Sequence, residues 1–174
     1  MRSDELRAEI ETHRAALLAL KTRRDALTML RVGLTAEAKR LKIERGNLLL
    51  DGAGETELLR NAAALDFNEQ AQRDTDLQIA ALPARIRAVA ETIVDLEGAQ
   101  RLAAVQEVDA EAAQLQQELN EAFALTNQHR GNGGYYAAQY TLRRNKIALE
   151  AKSRAAVNAL SSYNREGMLV TLCE

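Results

Sequence analysis

Hydrophobic residues in the first 50 positions recur at the spacing of one long amphipathic helix. A leucine stands at nearly every seventh position, and a second row, three or four residues away, mixes apolar with basic residues. Rows spaced alternately by three and four residues form the seam of a coiled coil. The pattern predicts a helix over residues 3–50, in which Arg24, Arg31 and Arg45 extend past the seam or meet carboxylates on a facing helix. The predicted seam residues are Leu6, Ile10, Leu17, Leu20, Leu27, Leu34, Leu41 and Leu48.

A short glycine-containing segment follows, and it predicts a reversal of the chain. Residues 51–55 read Asp-Gly-Ala-Gly-Glu, and such residues adopt turn conformations at little cost. A link this short favours an antiparallel hairpin with a second helix over residues 56–127. We expect Pro83 to kink or briefly break that helix, because proline lacks an amide hydrogen and clashes with the preceding turn. The predicted seam residues of the second helix are Ile79, Leu82, Ile86, Val89, Ile93 and Leu96.

A third helix is predicted after a glycine-rich loop over residues 126–134. It runs from residue 135 to 164, with Gly167 as its C-cap, and a short, extended, apolar tail follows. The domains are therefore a hairpin over residues 1–128 and a region over 129–174 that holds the loop, third helix and tail. The residues expected to be buried on the third helix are Tyr136, Tyr140, Ile147, Ala151, Leu160 and Tyr163.

Composition and charge favour an elongated, all-α fold: an antiparallel coiled-coil hairpin with a third helix and an extended C-terminal tail. Aromatic residues make up only 3% of the chain and tryptophan is absent, although aromatic side chains dominate many compact cores. Residues 1–50 contain eleven Lys and Arg against seven Asp and Glu, residues 51–128 five against fifteen, and residues 129–174 seven against three. We therefore expect the acidic second helix to lie between two basic ones.

Residues that carry catalytic or metal chemistry are sparse. The chain has two histidines and one cysteine, too few for a structural zinc site. His13 interrupts the leucine row, where it tunes register; the alternative is a metal or pH-sensing role. The segment from Gly131 to Gly134 lacks the Lys-Ser/Thr of a phosphate-binding loop. We expect no enzymatic activity, no cofactor and no metal.

Two segments near the C-terminus are candidates for docking. Aromatic and basic side chains are interleaved near residue 140, and such a group can stack bases and bind phosphates. The alternative is that the tyrosines pack on the acidic helix while the arginines pair with its carboxylates, which we favour because the net charge is −2. The apolar tail either adds to a partner's sheet edge or groove or packs back on its own helices. The candidate docking residues are Tyr135, Tyr136, Tyr140, Arg143, Arg144, Met168, Leu169, Val170 and Leu172.

The long seams predict a non-enzymatic structural or assembly component. The predicted second helix is longer than the first, and its surplus seam needs a further protein partner, so we expect a homo-oligomer, docking into a larger complex, or both. The most specific hypothesis is a bacteriophage virion component associated with the head, neck or tail. The alternatives are a helical chaperone or adaptor that holds a client or export partner, and nucleic-acid binding through residues 130–146.

The sequence also bears on where the chain resides. No apolar stretch reaches the ~20 residues of a membrane span. The first eleven residues, MRSDELRAEIE, are charged and do not resemble a secretory signal. We expect synthesis in the cytoplasm and, under the virion hypothesis, later incorporation into the particle.

Overall fold

The computed structural model describes residues 3–128 and 133–174 of the chain. Its helices are α1 (Ser3–Leu50), α2 (Glu55–Gln128), α3 (Gly133–Ser161) and α4 (Arg165–Cys173), and these residues include no strand. The all-α prediction is therefore confirmed. The predicted bounds of the first helix match α1, and those of the second differ from α2 by one residue at each end.

The turn between α1 and α2 is formed by backbone groups at the C-terminus of α1. Gly52 adopts a left-handed conformation with φ of 70°, which glycine tolerates because it has no Cβ. The amide of Ala53 then donates to the carbonyl of Leu48 at 2.9 Å. This bond satisfies a carbonyl that the end of the helix would otherwise leave unpaired.

The chain divides into two compact units, and the first, His13–Glu91, is called the hairpin unit here. Within it α1 and α2 run antiparallel. The carbonyl of Leu34 accepts from Gln72 Nε2 at 3.1 Å, and the carbonyl of Leu41 accepts from Asn61 Nδ2 at 3.1 Å. Partners on α2 thus come earlier in the chain as positions on α1 come later, as the predicted hairpin requires.

Proline at position 83 lies inside α2, which continues through it without interruption. Of the two predicted effects of Pro83, the break is therefore wrong, and the kink stays a prediction. Proline removes only one helical hydrogen bond, and two large side chains on either side of it, Leu82 and Ile86, are buried in the hairpin unit. Their burial stabilises the helical conformation of this segment against the local loss.

The second unit, called the C-terminal unit, contains residues 3–12 of α1, the part of α2 from Thr92 onward, and residues up to Leu172 of α3 and α4. In it α2 and α3 run antiparallel: Gln139 Nε2 donates to Thr126 Oγ1 at 2.7 Å, and Lys152 Nζ lies 2.8 Å from Glu111 Oε2. Since both units contain part of α2, the predicted boundary near residue 128 does not coincide with their division.

The C-terminal segment is a helix and not the extended tail that the sequence predicted. Asn164 takes an extended conformation and its side chain accepts a hydrogen bond from the amide of Gly167, so it caps the N-terminus of α4. Gly167 accordingly lies inside α4 and does not cap α3. Met168, Leu169 and Leu172 are half-buried, and their one-sided spacing explains why this apolar segment gains from being helical.

The predicted loop between the second and third helices, residues 126–134, includes residues that belong to the helices on either side. Thr126 to Gln128 continue α2, and Gly133 and Gly134 belong to α3. The remainder of that predicted loop, 129–132, lies outside the described residues. The third helix also ends at Ser161, three residues before the predicted end, because Asn164 acts as the cap of the next helix.

The buried face of α3 differs from the predicted one. Tyr136, Tyr140 and Ile147 are exposed, and so is Ala151, whereas Leu160 and Tyr163 are half-buried. A step of one residue turns a helix by about 100°, so rows that adjoin in sequence lie on different faces. The half-buried row, spaced by seven residues, is Tyr135, Leu142, Leu149, Ala156 and Tyr163.

Candidate interaction surfaces

The predicted seam residues of α1 all lie on one side of the helix. Leu6 and Ile10 are buried in the C-terminal unit, and Leu17 and Leu41 are buried in the hairpin unit. Those that are half-buried are Leu20, Leu27, Leu34 and Leu48. His13 is half-buried in the same row. Arg31, from the mixed row, meets a carboxylate of the facing helix, with its Nε 2.6 Å from Asp76 Oδ1.

The predicted seam residues of α2 also lie on one side of their helix, at buried or half-buried positions. Leu82 and Ile86 are buried in the hairpin unit, and Ile93 is buried in the C-terminal unit. The half-buried ones are Ile79, Val89 and Leu96. The row therefore lies on the buried side of α2 along its predicted length.

Polar residues continue the α2 seam toward the turn, and the sequence analysis did not identify them. Asn61, Asn68 and Thr75 are buried. They stand at seven-residue intervals before Leu82, so extending that row backward would have found them. Gln72 Nε2 also donates to Asn68 Oδ1 at 2.6 Å. Buried polar side chains at seam positions lower stability but select one register, which is the effect expected of this row.

One atom of this polar row lacks a partner among the described residues. Asn61 is 5% exposed, its Nδ2 donates to the Leu41 carbonyl, and its Oδ1 is buried without a hydrogen bond. A buried acceptor without a donor costs about 1–3 kcal/mol. The hairpin unit therefore carries a local instability at this position, near its turn.

Tyr163 fastens the end of α3 to α2 in the C-terminal unit. Its hydroxyl donates to the carbonyl of Val94, and the guanidinium of Arg101 lies 4.9 Å from its ring centroid. A Cβ on Gly98 would lie 3.1 Å from the ring, so glycine at this position allows the close approach. Burial raises the pKa of the Tyr163 phenol, the nearby Asp95 carboxylate raises it further, and Arg101 opposes both.

Charged and polar groups beside this tyrosine are paired within the unit. The Glu97 carboxylate is buried and lies 3.2 Å from Arg101 Nη1. Arg165 Nε, at the start of α4, lies 2.9 Å from Asp95 Oδ1. The Arg165–Asp95 pair holds the start of α4 on α2, and the Glu97–Arg101 pair lies within α2 beside the Tyr163 ring, so this cluster is best described as a structural junction.

The aromatic and basic segment at the start of α3 is largely on the surface. Tyr136 and Tyr140 are 52% and 73% exposed, and Tyr135 is half-buried. The guanidinium of Arg143 lies 5.0 Å from the ring centroid of Phe123 on α2, and Arg144 is exposed. The favoured interpretation, in which these tyrosines pack on the acidic helix, is therefore wrong for Tyr136 and Tyr140.

Four of the predicted docking residues, Met168, Leu169, Val170 and Leu172, lie in the C-terminal segment. Of these four, only Val170 is exposed. The other three form the inner side of α4 within the C-terminal unit. The segment is a helix and not the extended strand that pairing with a partner's sheet edge requires. The partial burial of three of its apolar residues agrees with packing on its own unit, and docking into a partner's groove stays a prediction.

An exposed surface of the hairpin unit with several large apolar side chains lies on α1, on the side away from the leucine row. Leu18, Met29, Val32 and Ile43 are 61–72% exposed, and the positions between them hold small uncharged residues together with Asp25, Lys39 and Arg40. We call this surface the back face of α1. Its central row, spaced alternately by four and three residues and exposed throughout, is Ala15, Ala19, Thr22, Ala26, Met29, Gly33 and Ala36.

The leucine repeat does not reveal this row, because it marks only the other side of the helix. A periodicity count over all seven rows would have found it, since no member carries a charge.

No site for a metal emerges from the described ranges, 3–128 and 133–174: no group of three or more His, Cys, Asp or Glu there could hold an ion. Within the same ranges, none of the helices combines the length and apolar character needed to cross a membrane. Comparison of the chain with protein-family models, curated proteins and solved structures gave no match. Functional inference therefore depends on the surfaces described above.

Proposed function

We propose that this protein is a non-enzymatic structural or assembly component that binds protein partners through exposed helix faces. The observation that carries the proposal is the back face of α1, where large apolar side chains recur on one side of the helix. Single exposed apolar residues are common on any protein. A continuous exposed apolar surface is uncommon on a monomer and marks an interaction site.

The first experiment is to measure the molar mass of the full chain by light scattering over a range of concentrations. We expect an oligomer whose mass falls toward that of one chain when Leu18 and Val32 are both changed to glutamate, because charge on an apolar interface opposes association. Glu69→Leu, at an exposed position on α2, is a control for general surface changes. Circular dichroism should show the same helical content in all variants.

A chain that stays monomeric at every concentration would contradict self-association. It would instead favour the chaperone or adaptor alternative, in which the exposed faces hold a client protein. The bacteriophage-virion setting is a narrower form of the assembly proposal, and it stays a hypothesis drawn from the sequence.

A second candidate, nucleic-acid binding, is favoured by the exposure of Tyr136 and Tyr140 beside Arg144. Base stacking on aromatic side chains contributes about 1–3 kcal/mol per base, and phosphate contacts make affinity fall steeply with salt. The test is fluorescence anisotropy with single-stranded oligonucleotides at several salt concentrations. Binding that Tyr140→Ala weakens at least fivefold, and Tyr135→Phe does not, would support this role; no binding at low salt would exclude it.

A further inference from the structure

We infer that the back face of α1 pairs with the same face of a second copy of this chain, antiparallel and centred on residue 31. This inference rests on the proposed function and names its partner. All the residues it uses lie between Ala15 and Asn47, within the hairpin unit.

The spacing of the central row suits a helical partner with the same spacing. From Ala15 to Ala36 the row alternates steps of four and three residues without a charged member. Such a row forms a seam only with a helix that presents a matching one. A second copy of α1 supplies that row by symmetry, and two identical faces meet through a twofold axis in the commonest kind of homodimer.

Side-chain sizes are complementary when the two copies are antiparallel about residue 31. Met29 then lies opposite Gly33 of the second copy, and Ile43 lies opposite its Ala19. No atom lies within 4 Å of the place where a Cβ on Gly33 would be, so this position has room for the methionine. A parallel pairing in register would instead place methionine against methionine and glycine against glycine.

Charges that flank the row are also complementary in this arrangement. Asp25 comes to lie near Lys39 of the second copy. The twofold axis repeats this pair, so two opposite-charge contacts border the interface. Both side chains lie on α1 at positions beside the central row, and both are exposed. Flanking charges of this kind set the orientation and register of paired helices.

The available area is adequate for a specific dimer. The segment from Ala15 to Asn47 is about 50 Å long at about 1.5 Å per residue. A helix about 10 Å wide then offers roughly 500 Å² per copy, or about 1,000 Å² in total, which is the lower range for a specific interface. Arg40 is the one charged residue in the extended row, and its Nε already lies 2.9 Å from Glu37, leaving its aliphatic stem to cover Thr22 of the second copy.

Cysteine cross-linking of full-length variants tests the arrangement. In a Cys173→Ser background we would prepare Ala19→Cys and Ile43→Cys separately and treat them with a short thiol cross-linker, alone and mixed. The antiparallel arrangement predicts a covalent dimer only in the mixture, because position 19 faces position 43 of the other copy. Asp109→Cys, at an exposed position in the C-terminal unit, is the control: it measures how much covalent dimer forms through random collisions between chains.

Charge exchange provides a second test that does not require cross-linking. Lys39→Asp disrupts two symmetry-related pairs, and exposed pairs of this kind predict a dimer dissociation constant raised about 2- to 30-fold. Adding Asp25→Lys restores opposite charges, so the double variant should return to within about twofold of the original. Lys42→Asp makes the same change away from the back face and should have little effect.

The outcomes separate this inference from the proposed function. Cross-links within each single variant would mean a parallel pairing and would overturn the inference. A stable oligomer with no cross-link in the mixture would also overturn it, yet would leave the proposed assembly role standing through another face. A monomer at every concentration would overturn this inference and would favour the chaperone or adaptor alternative, in which the back face holds a different protein.

Discussion

Replacing Asn61 with leucine is expected to stabilise the hairpin unit, although it removes a hydrogen bond. The lost donation to the Leu41 carbonyl contributes about 1 kcal/mol, and that carbonyl lies in mid-helix, where a backbone amide also reaches it. Removing the unpaired Oδ1 recovers about 1–3 kcal/mol, and the larger apolar side chain adds roughly 1 kcal/mol. The net gain is about 1–3 kcal/mol.

Space around the side chain makes this substitution feasible. An open groove of about 310 Å³ lies beside Asn61, and its apolar lining includes Leu41, Leu48 and Ala64. Leucine can extend into that groove without displacing packed neighbours, so the cost of overpacking, about 1–3 kcal/mol in a filled core, should be largely absent.

The assay is urea denaturation of the full chain followed by circular dichroism, together with hydrogen exchange of peptides from α1 and α2. We expect a midpoint higher by roughly 0.5 M at an unchanged slope, with slower exchange in the hairpin unit. Asn145→Leu, at an exposed position on α3, should change stability by less than about 0.5 kcal/mol. A midpoint equal to or below that of the original chain would refute the reasoning about the unpaired oxygen.

Other substitutions test the remaining contacts. Tyr163→Phe should cost about 1 kcal/mol in urea denaturation because the Val94 carbonyl loses its donor, while Tyr140→Phe, on the surface, should be neutral. Burial raises the pKa of the Tyr163 phenol, so the folded state holds that proton more tightly. Its contribution is complete below about pH 10 and is lost as pH rises through the raised value, and a pH series should lack this loss in Tyr163→Phe. Pro83→Ala should raise the melting temperature, because proline in a helix interior is about 3 kcal/mol less favourable than alanine. Ala84→Pro should lower the melting temperature for the same reason. An unchanged melting temperature for both variants would contradict this account of α2.

The polar and apolar rows of the hairpin unit have different consequences for association. On the inner side of α2, polar groups such as Asn61 and Gln72 bond to backbone carbonyls of α1 and thereby select one register of the hairpin. On the outer side of α1, no buried polar group restricts the pairing, so orientation would depend on size and on flanking charges such as Asp25. Substitutions in the polar row of α2 should therefore change the free energy of unfolding. Substitutions in the back face of α1 should change the dissociation constant of the dimer.

Much of the architecture could be predicted from local pattern alone. The leucine row ending at Leu48, followed by Gly52, determined where α1 ends, because an amphipathic repeat and a left-handed turn are both local properties of the chain. The second helix was predicted for the same reason. Its continuity through Pro83 could not be, because the local cost of proline does not include the tertiary burial of its neighbours.

The faces of the later helices were decided only by tertiary structure. The start of α3 contains two apolar rows, one beginning at Tyr135 and the other at Tyr136, and periodicity cannot choose between them. The choice follows from the hydrogen bond of Gln139 to Thr126 and from the fit of Tyr163 against Gly98, contacts between residues distant in sequence. In the same way, the helical form of α4 depends on packing of its inner side, since its residues alone favour strand and helix about equally.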